Sequence, residues 1–139
     1  MPGQSIADDE VLYRRILPGN QWFEPPDRPT SASFKLKRLK DGQYEEGLSV
    51  YRRAIICAAE VLAKPDTKPG SILAHASAGG VRALVRVLQN AAPEPLGLDV
   101  LAINDENDPG HAEIRGPEPR KLPASAPKKL AKLFQVVNG

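Results

Sequence analysis

The order of apolar and polar positions along the chain predicts alternating short strands and helices. Val11-Leu12-Tyr13-Arg14-Arg15-Ile16 mixes β-branched, aromatic and basic residues and runs into Pro18-Gly19, the pattern of a first strand. Ser33-Phe34-Lys35-Leu36-Lys37-Arg38 alternates apolar and basic positions, as a half-exposed strand does. Asp41-Gly42 supplies a turn in which glycine tolerates positive φ, and Leu48-Ser49-Val50-Tyr51 predicts the return strand of a hairpin. Glu45 and Glu46 could face Lys35 or Lys37 across it. Over residues 52–64, Ile55, Ala58, Ala59 and Leu62 recur at i, i+3, i+4, i+7, which predicts a helix that Pro65 stops. Residues 71–76 predict a buried strand. Ser77 then caps a helix over 78–90 with Val81, Leu84, Val85 and Leu88 on its face. Residues 98–103 and 111–115 predict two more strands around the turn-forming stretch NDENDPG. After a proline-rich linker, Ser125 and Pro127 open a last helix with Leu130, Leu133, Phe134 and Val137 along one side.

Strands in hairpins with three separate amphipathic helices predict an α+β fold: a single domain over 10–139, with a mixed, mostly antiparallel sheet covered by about three helices. The length, 139 residues, suits one domain. Residues 1–9, small and polar, predict a flexible N-terminus. The 14 prolines exclude a long coiled coil, and four of them make 17–30 a loop that Trp22 and Phe23 pin to the body. No apolar run approaches the ~20 residues of a membrane span. The start, MPGQSIADDE, lacks the basic and apolar regions of a secretory signal, and a lone Cys57, read as a packing residue on the apolar side of the helix expected over 52–64, favours a reducing cytoplasm. A net charge of +2 does not by itself imply a polyanionic partner.

Candidate chemistry is sparse. The turn Ser77-Ala78-Gly79-Gly80 opens a helix, where free N–H groups and the helix dipole could cradle a phosphate, although the lysine of a P-loop is absent. His75 and His111 each begin an H-A-x element. Their pairing resembles the 2H phosphoesterases, in which two imidazoles flank a phosphate as acid and base, but the second element ends in Glu113. A strand arginine (Arg14 or Arg15), the stretch Thr30-Ser31-Ala32-Ser33 and Glu113 follow the order of the R-S-E arrangement of ADP-ribosyltransferases. That resemblance implies that the arginine and serine position NAD and the glutamate orients the acceptor. No local spacing supports a metal site, and no cofactor is expected. The basic positions in 35–40 and 120–132 read as a solvated face rather than a nucleic-acid surface, because aromatic residues are only 5% of the chain.

The pieces Leu12-Tyr13-Arg14-Arg15-Ile16, Arg28-Pro29-Thr30-Ser31-Ala32-Ser33-Phe34-Lys35, Leu48-Ser49-Val50 and Asn107-Asp108-Pro109-Gly110-His111-Ala112-Glu113-Ile114 resemble a group of small bacterial proteins. There an arginine strand, R-P-S/T-S-x-x-F, L-S-V and N-P-x-H-A elements recur in this order. The resemblance spans about residues 11–115, loosens at Asp108, Pro109 and Gly110, and implies a bacterial, cytoplasmic origin without an established activity. It marks Arg28, Ser31, Phe34 and His111 as a shared surface. Two functions are therefore expected: a non-catalytic accessory module that docks another protein through Trp22 and Phe23, or an enzyme or binder of a nucleotide or phosphate ligand. The second would use the turn of Ser77, Gly79 and Gly80 with His111 and either Arg14 or Arg28.

Overall fold

The computed structural model describes residues 2–25, 28–87, 89 and 91–137. Seven strands form one sheet: β1 (Pro2–Ser5), β2 (Val11–Ile16), β3 (Leu48–Arg52), β4 (Ile72–Ser77), β5 (Asp99–Ile103), β6 (His111–Arg115) and β7 (Gln135–Val136). Their spatial order is β1-β5-β6-β3-β2-β4-β7, and every pairing is antiparallel. Among the described residues, three short helices, α1 (Ala58–Leu62), α2 (Ala78–Arg82) and α3 (Ala126–Leu133), complete an α+β unit. None of the described helices is long and apolar enough to cross a membrane.

The period-2 alternation of the strands decides which element covers which face. Leu12, Ile16, Leu48, Val50, Ala74, Val100, Ala112 and Ile114 point to one face and join Ala78, Val81, Leu130 and Phe134 from α2 and α3 in the main core. Tyr13, Tyr51 and Leu73 point to the other face, where Ile56 and Val61 of the α1 region cover them. The three helices thus divide between two faces.

Several elements depart from the periodicity. Residues 33–38 do not form a strand. Ser31–Phe34 is a 3₁₀ turn that drives Phe34 to complete burial, 5.1 Å from the Phe134 ring, and β3 pairs with β2 and β6 instead of a hairpin partner. The Asp41-Gly42 turn does form, with the Asp41 carboxylate accepting from the Gln43 N–H. Glu45 accepts from the Lys37 backbone N–H, while Glu46 pairs with Arg115 and Arg120. The helix expected over 52–64 shrinks to α1, because Arg52 stays in the sheet and Cys57 becomes the cap. Cys57 is exposed and Ile55 is solvent-facing, rather than packed. The helix over 78–90 stops at Arg82, and Val85–Arg86 pairs with Glu94–Pro95 in a small ribbon; Leu88 lies outside the described residues. At the N-terminus, Pro2–Ser5 pairs with β5 and Ile6 is buried, where a flexible segment was expected. Arg82 fastens this edge through Asp8, Asp99, the Ser5 hydroxyl and the Val100 carbonyl.

Candidate functional site

The middle of the sheet is incompletely zipped. β2 pairs with β4 along its whole length, but with β3 only at Leu12↔Arg52 and Tyr13↔Tyr51. Beyond Tyr13 the two main chains part, and the Arg14 side chain takes the place of the missing ladder. Its Nη1 donates to the Ser49 carbonyl at 2.8 Å, and its Nε and Nη2 donate to the Ser33 carbonyl at 3.1 and 2.8 Å. The guanidinium also lies over the Phe34 ring, 5.9 Å from its centre. Among the described residues it has no carboxylate within ion-pair distance. Burial pushes its pKa down to about 10, against the opposing charge of Glu45, so it remains a cation at neutral pH. A guanidinium carries five N–H donors. Two of Arg14's therefore remain after the three bonds to carbonyls.

A cleft of about 470 Å³ opens where the strands part. Among the described residues, Arg14, Arg15, Lys35, Lys37 and Lys68 contribute five cations to its walls, against Glu45 and Asp66. Both carboxylates are engaged. Asp66 holds Arg15 at 2.8 and 3.1 Å, and Glu45 accepts from the Lys37 N–H at 2.8 Å. The Arg15 bond holds the Asp66 carboxyl below the usual range and raises Arg15 in turn. Trp22, Leu17, Leu36 and Ala32 give the cleft an apolar side; Ser33, Ser49 and Thr67 also line it.

Ser49 also belongs to a polar cluster on the α1 side of the sheet. Its Oγ lies 3.0 Å from His111 Nε2 on the neighbouring strand. The other imidazole nitrogen, Nδ1, faces Asp108 Oδ2 at 3.8 Å. Tyr51 donates its hydroxyl to the same Asp108 oxygen at 3.1 Å, and Lys64 donates to Oδ1 at 2.5 Å. Local turn chemistry produces this placement. The His111 N–H bonds the Asp108 carbonyl, and Gly110 closes the turn at φ +84, where a Cβ would also stand 2.7 Å from Ile56 Cγ2.

Other residues marked from the sequence scatter. At the Ser77 turn, the Ala78 and Gly79 N–H groups bond the Glu10 and Asp8 carbonyls, and the Gly80 N–H bonds the Ser77 hydroxyl. Gly79 packs on Asp8 and Gly80 on Leu133, so the first N–H groups of α2 are already paired and form no phosphate cradle. His75 and His111 stand in one cross-strand row, His111–Tyr51–Tyr13–His75, with two tyrosines between them. Three strand spacings are about 14 Å, too far to flank one phosphate. Arg14 does meet the 30–33 stretch, but through the Ser33 carbonyl; Ser31 is outside the cleft lining. Glu113 is tied to Arg115 at 2.7 Å and also lies outside it. Arg28 is exposed on a two-residue ribbon with Glu24. Trp22 and Phe23 are half-buried against the main core, pinning the loop as expected. Lys35 and Lys37, read as part of a solvated face, line the cleft. Sequence reasoning passed over Ser49 and Asp108 as site residues. The signal was present in the L-S-V and N-D-P-G-H pieces, but only the β3–β6 register brings them together.

No protein-family model, curated protein or solved structure matches the chain.

Proposed function

We propose that the protein binds a small phosphate-bearing ligand in the cleft where β2 and β3 part, with Arg14 as its anchor. This is the nucleotide- or phosphate-ligand function read from the sequence, moved from the Ser77 turn to the split in the sheet. One observation carries it: half-buried Arg14 is bonded, among the described residues, only to carbonyls, and these three bonds leave two of its five N–H groups to give. A desolvated guanidinium without its own carboxylate is completed by an anion, and its fork suits a phosphate oxygen pair. The exposed lysines add attraction that salt screens; Arg14 does not depend on that long-range field. The inward packing of Trp22 and Phe23 favours this reading over docking of a protein on the aromatic loop.

Thermal unfolding in millimolar pyrophosphate, against sodium chloride at equal ionic strength, tests the proposal. A ligand that binds only the folded chain at a hundred times its Kd adds about 2.7 kcal/mol and raises Tm. The wild type is expected to show that rise and Arg14→Lys to lose most of it. Equal Tm values in the two salts, repeated with ADP, would remove the function.

A further inference from the structure

We infer that Ser49, His111 and Asp108 form a nucleophile–base–carboxylate relay, and that the cleft hydrolyses carboxylic esters bearing an anionic group. The order of contacts carries the inference: Ser49 Oγ to His111 Nε2 at 3.0 Å, then His111 Nδ1 to Asp108 Oδ2 at 3.8 Å. A serine hydroxyl is a weak nucleophile until a base takes its proton, and the base works best when a third group fixes its tautomer. With the proton on Nδ1, facing Asp108, Nε2 is the acceptor for the Ser49 hydroxyl. The 3.8 Å separation exceeds a hydrogen bond, as unliganded sites often do before substrate tightens them. Asp108 cannot drift far, because Tyr51 and Lys64 hold its two oxygens. The three residues come from two adjacent strands and the turn that opens one of them, so their spacing is set by rigid elements. Ser49 is the member of the three that lines the cationic cleft among the described residues, its carbonyl held there by Arg14, so the residue bearing the nucleophile adjoins the charges that would hold an anionic substrate.

In the first step Ser49 Oγ bonds to the carbonyl carbon, its proton passes to His111 Nε2, and that proton goes to the leaving alkoxide as the ester C–O bond breaks. Water then attacks the acyl-serine carbonyl and gives a proton to His111, which returns it to Ser49 Oγ as the acid departs. One ester and one water become one acid and one alcohol, with no change of oxidation state.

The preference for an anionic ester rests on the ligand-binding cleft proposed above; the relay itself does not. Intact-mass analysis and initial rates with the monoanionic ester 4-nitrophenyl hemisuccinate and the neutral 4-nitrophenyl acetate separate the two. Expected are a single acyl adduct on Ser49, its loss in Ser49→Ala, and a fall in rate of at least about a hundredfold in His111→Gln. Asp108→Asn, which also gives up the ion pair with Lys64, is expected to slow the reaction while cooperative unfolding and the pyrophosphate response persist. A wild type without adduct, or an adduct that survives Ser49→Ala, would show that Ser49 and His111 merely satisfy one another between strands, and would overturn the relay. Should His111→Gln fail to fold, the Asp108→Asn rate decides: a rate equal to wild type sinks the relay. Equal kcat/KM for the two esters, with the adduct intact, would leave the relay standing and remove the anionic preference.

Discussion

Arg14 does the work of main chain with a side chain. Where β2 leaves β3, the Ser49 carbonyl loses its ladder donor on that side, and a buried carbonyl without a partner costs about 1–3 kcal/mol. The planar fork of arginine reaches Ser49 and Ser33 together. A lysine ammonium would have to choose between them, and it is the more strongly hydrated cation to desolvate. Arg14→Lys should therefore destabilise the ligand-free protein by about 1–3 kcal/mol, seen as a lower urea midpoint with an unchanged slope. An unchanged midpoint would mean that water already serves one carbonyl. The sequence places Arg14 on a strand, where it lies, and marks it as a candidate site residue. Its special status was not legible there. Arg14 and Arg15 look alike as text, yet alternation sends one over Phe34 and the other over Tyr51 to Asp66.

At the level of elements, strands were more legible than helices. The cores of β2, β3, β4, β5 and β6 all lie where alternation and turn residues put them. The helices α1 and α2 are five residues each, far shorter than their apolar spacing suggested. Isolated helices of that length do not hold themselves together in water, so tertiary contacts and caps set their ends. For α2 those contacts are the Asp8 and Glu10 carbonyls and the Ser77 hydroxyl. The N-terminal strand was missed because Pro-Gly-Gln-Ser carries no alternation at all; its pairing with β5 and the reach of Arg82 make it an edge. The 33–38 stretch was misread for a converse reason. A basic–apolar alternation fits a strand, but it fits equally a turn that buries Phe34 and leaves the following lysines at a cleft. Phe34 is fully buried against Phe134 and under Arg14, so Phe34→Ala should cost about 3–5 kcal/mol. A loss under ~1 kcal/mol in chemical denaturation would show that the 3₁₀ turn and α3 do not depend on each other.

Across the whole molecule the two faces of the sheet have different chemistry. The α2–α3 face holds the main apolar core, with Arg14 over Phe34 at its open edge, while the α1 face carries the row His111–Tyr51–Tyr13–His75 with ionic groups around it. Tyr51 is the hinge of that polar face. Arg15 and Lys64 lie over its ring at 5.5 and 4.9 Å, and its hydroxyl bonds Asp108. Burial, and then the charge of Asp108, push its phenol well above the ordinary value of 10.0. The folded chain thus keeps the proton more tightly than the unfolded chain does. Linkage fixes the sign: stability from this group is complete below about pH 10 and is lost as pH rises beyond it, because the unfolded phenol ionises first. Tyr51→Phe gives up the bond to Asp108, about 1 kcal/mol at neutral pH, but has no proton to lose. Wild type should therefore be the more stable protein at pH 8, and the two denaturation midpoints should converge as pH climbs from 9.5 to 11 (a range that also titrates lysines, which both proteins share). Midpoints that stay parallel across that range would show that the Tyr51 phenol ionises as readily in the fold as outside it. Asp108 would then lack the steady donor that the polar face, and the orientation of His111 beside Ser49, requires.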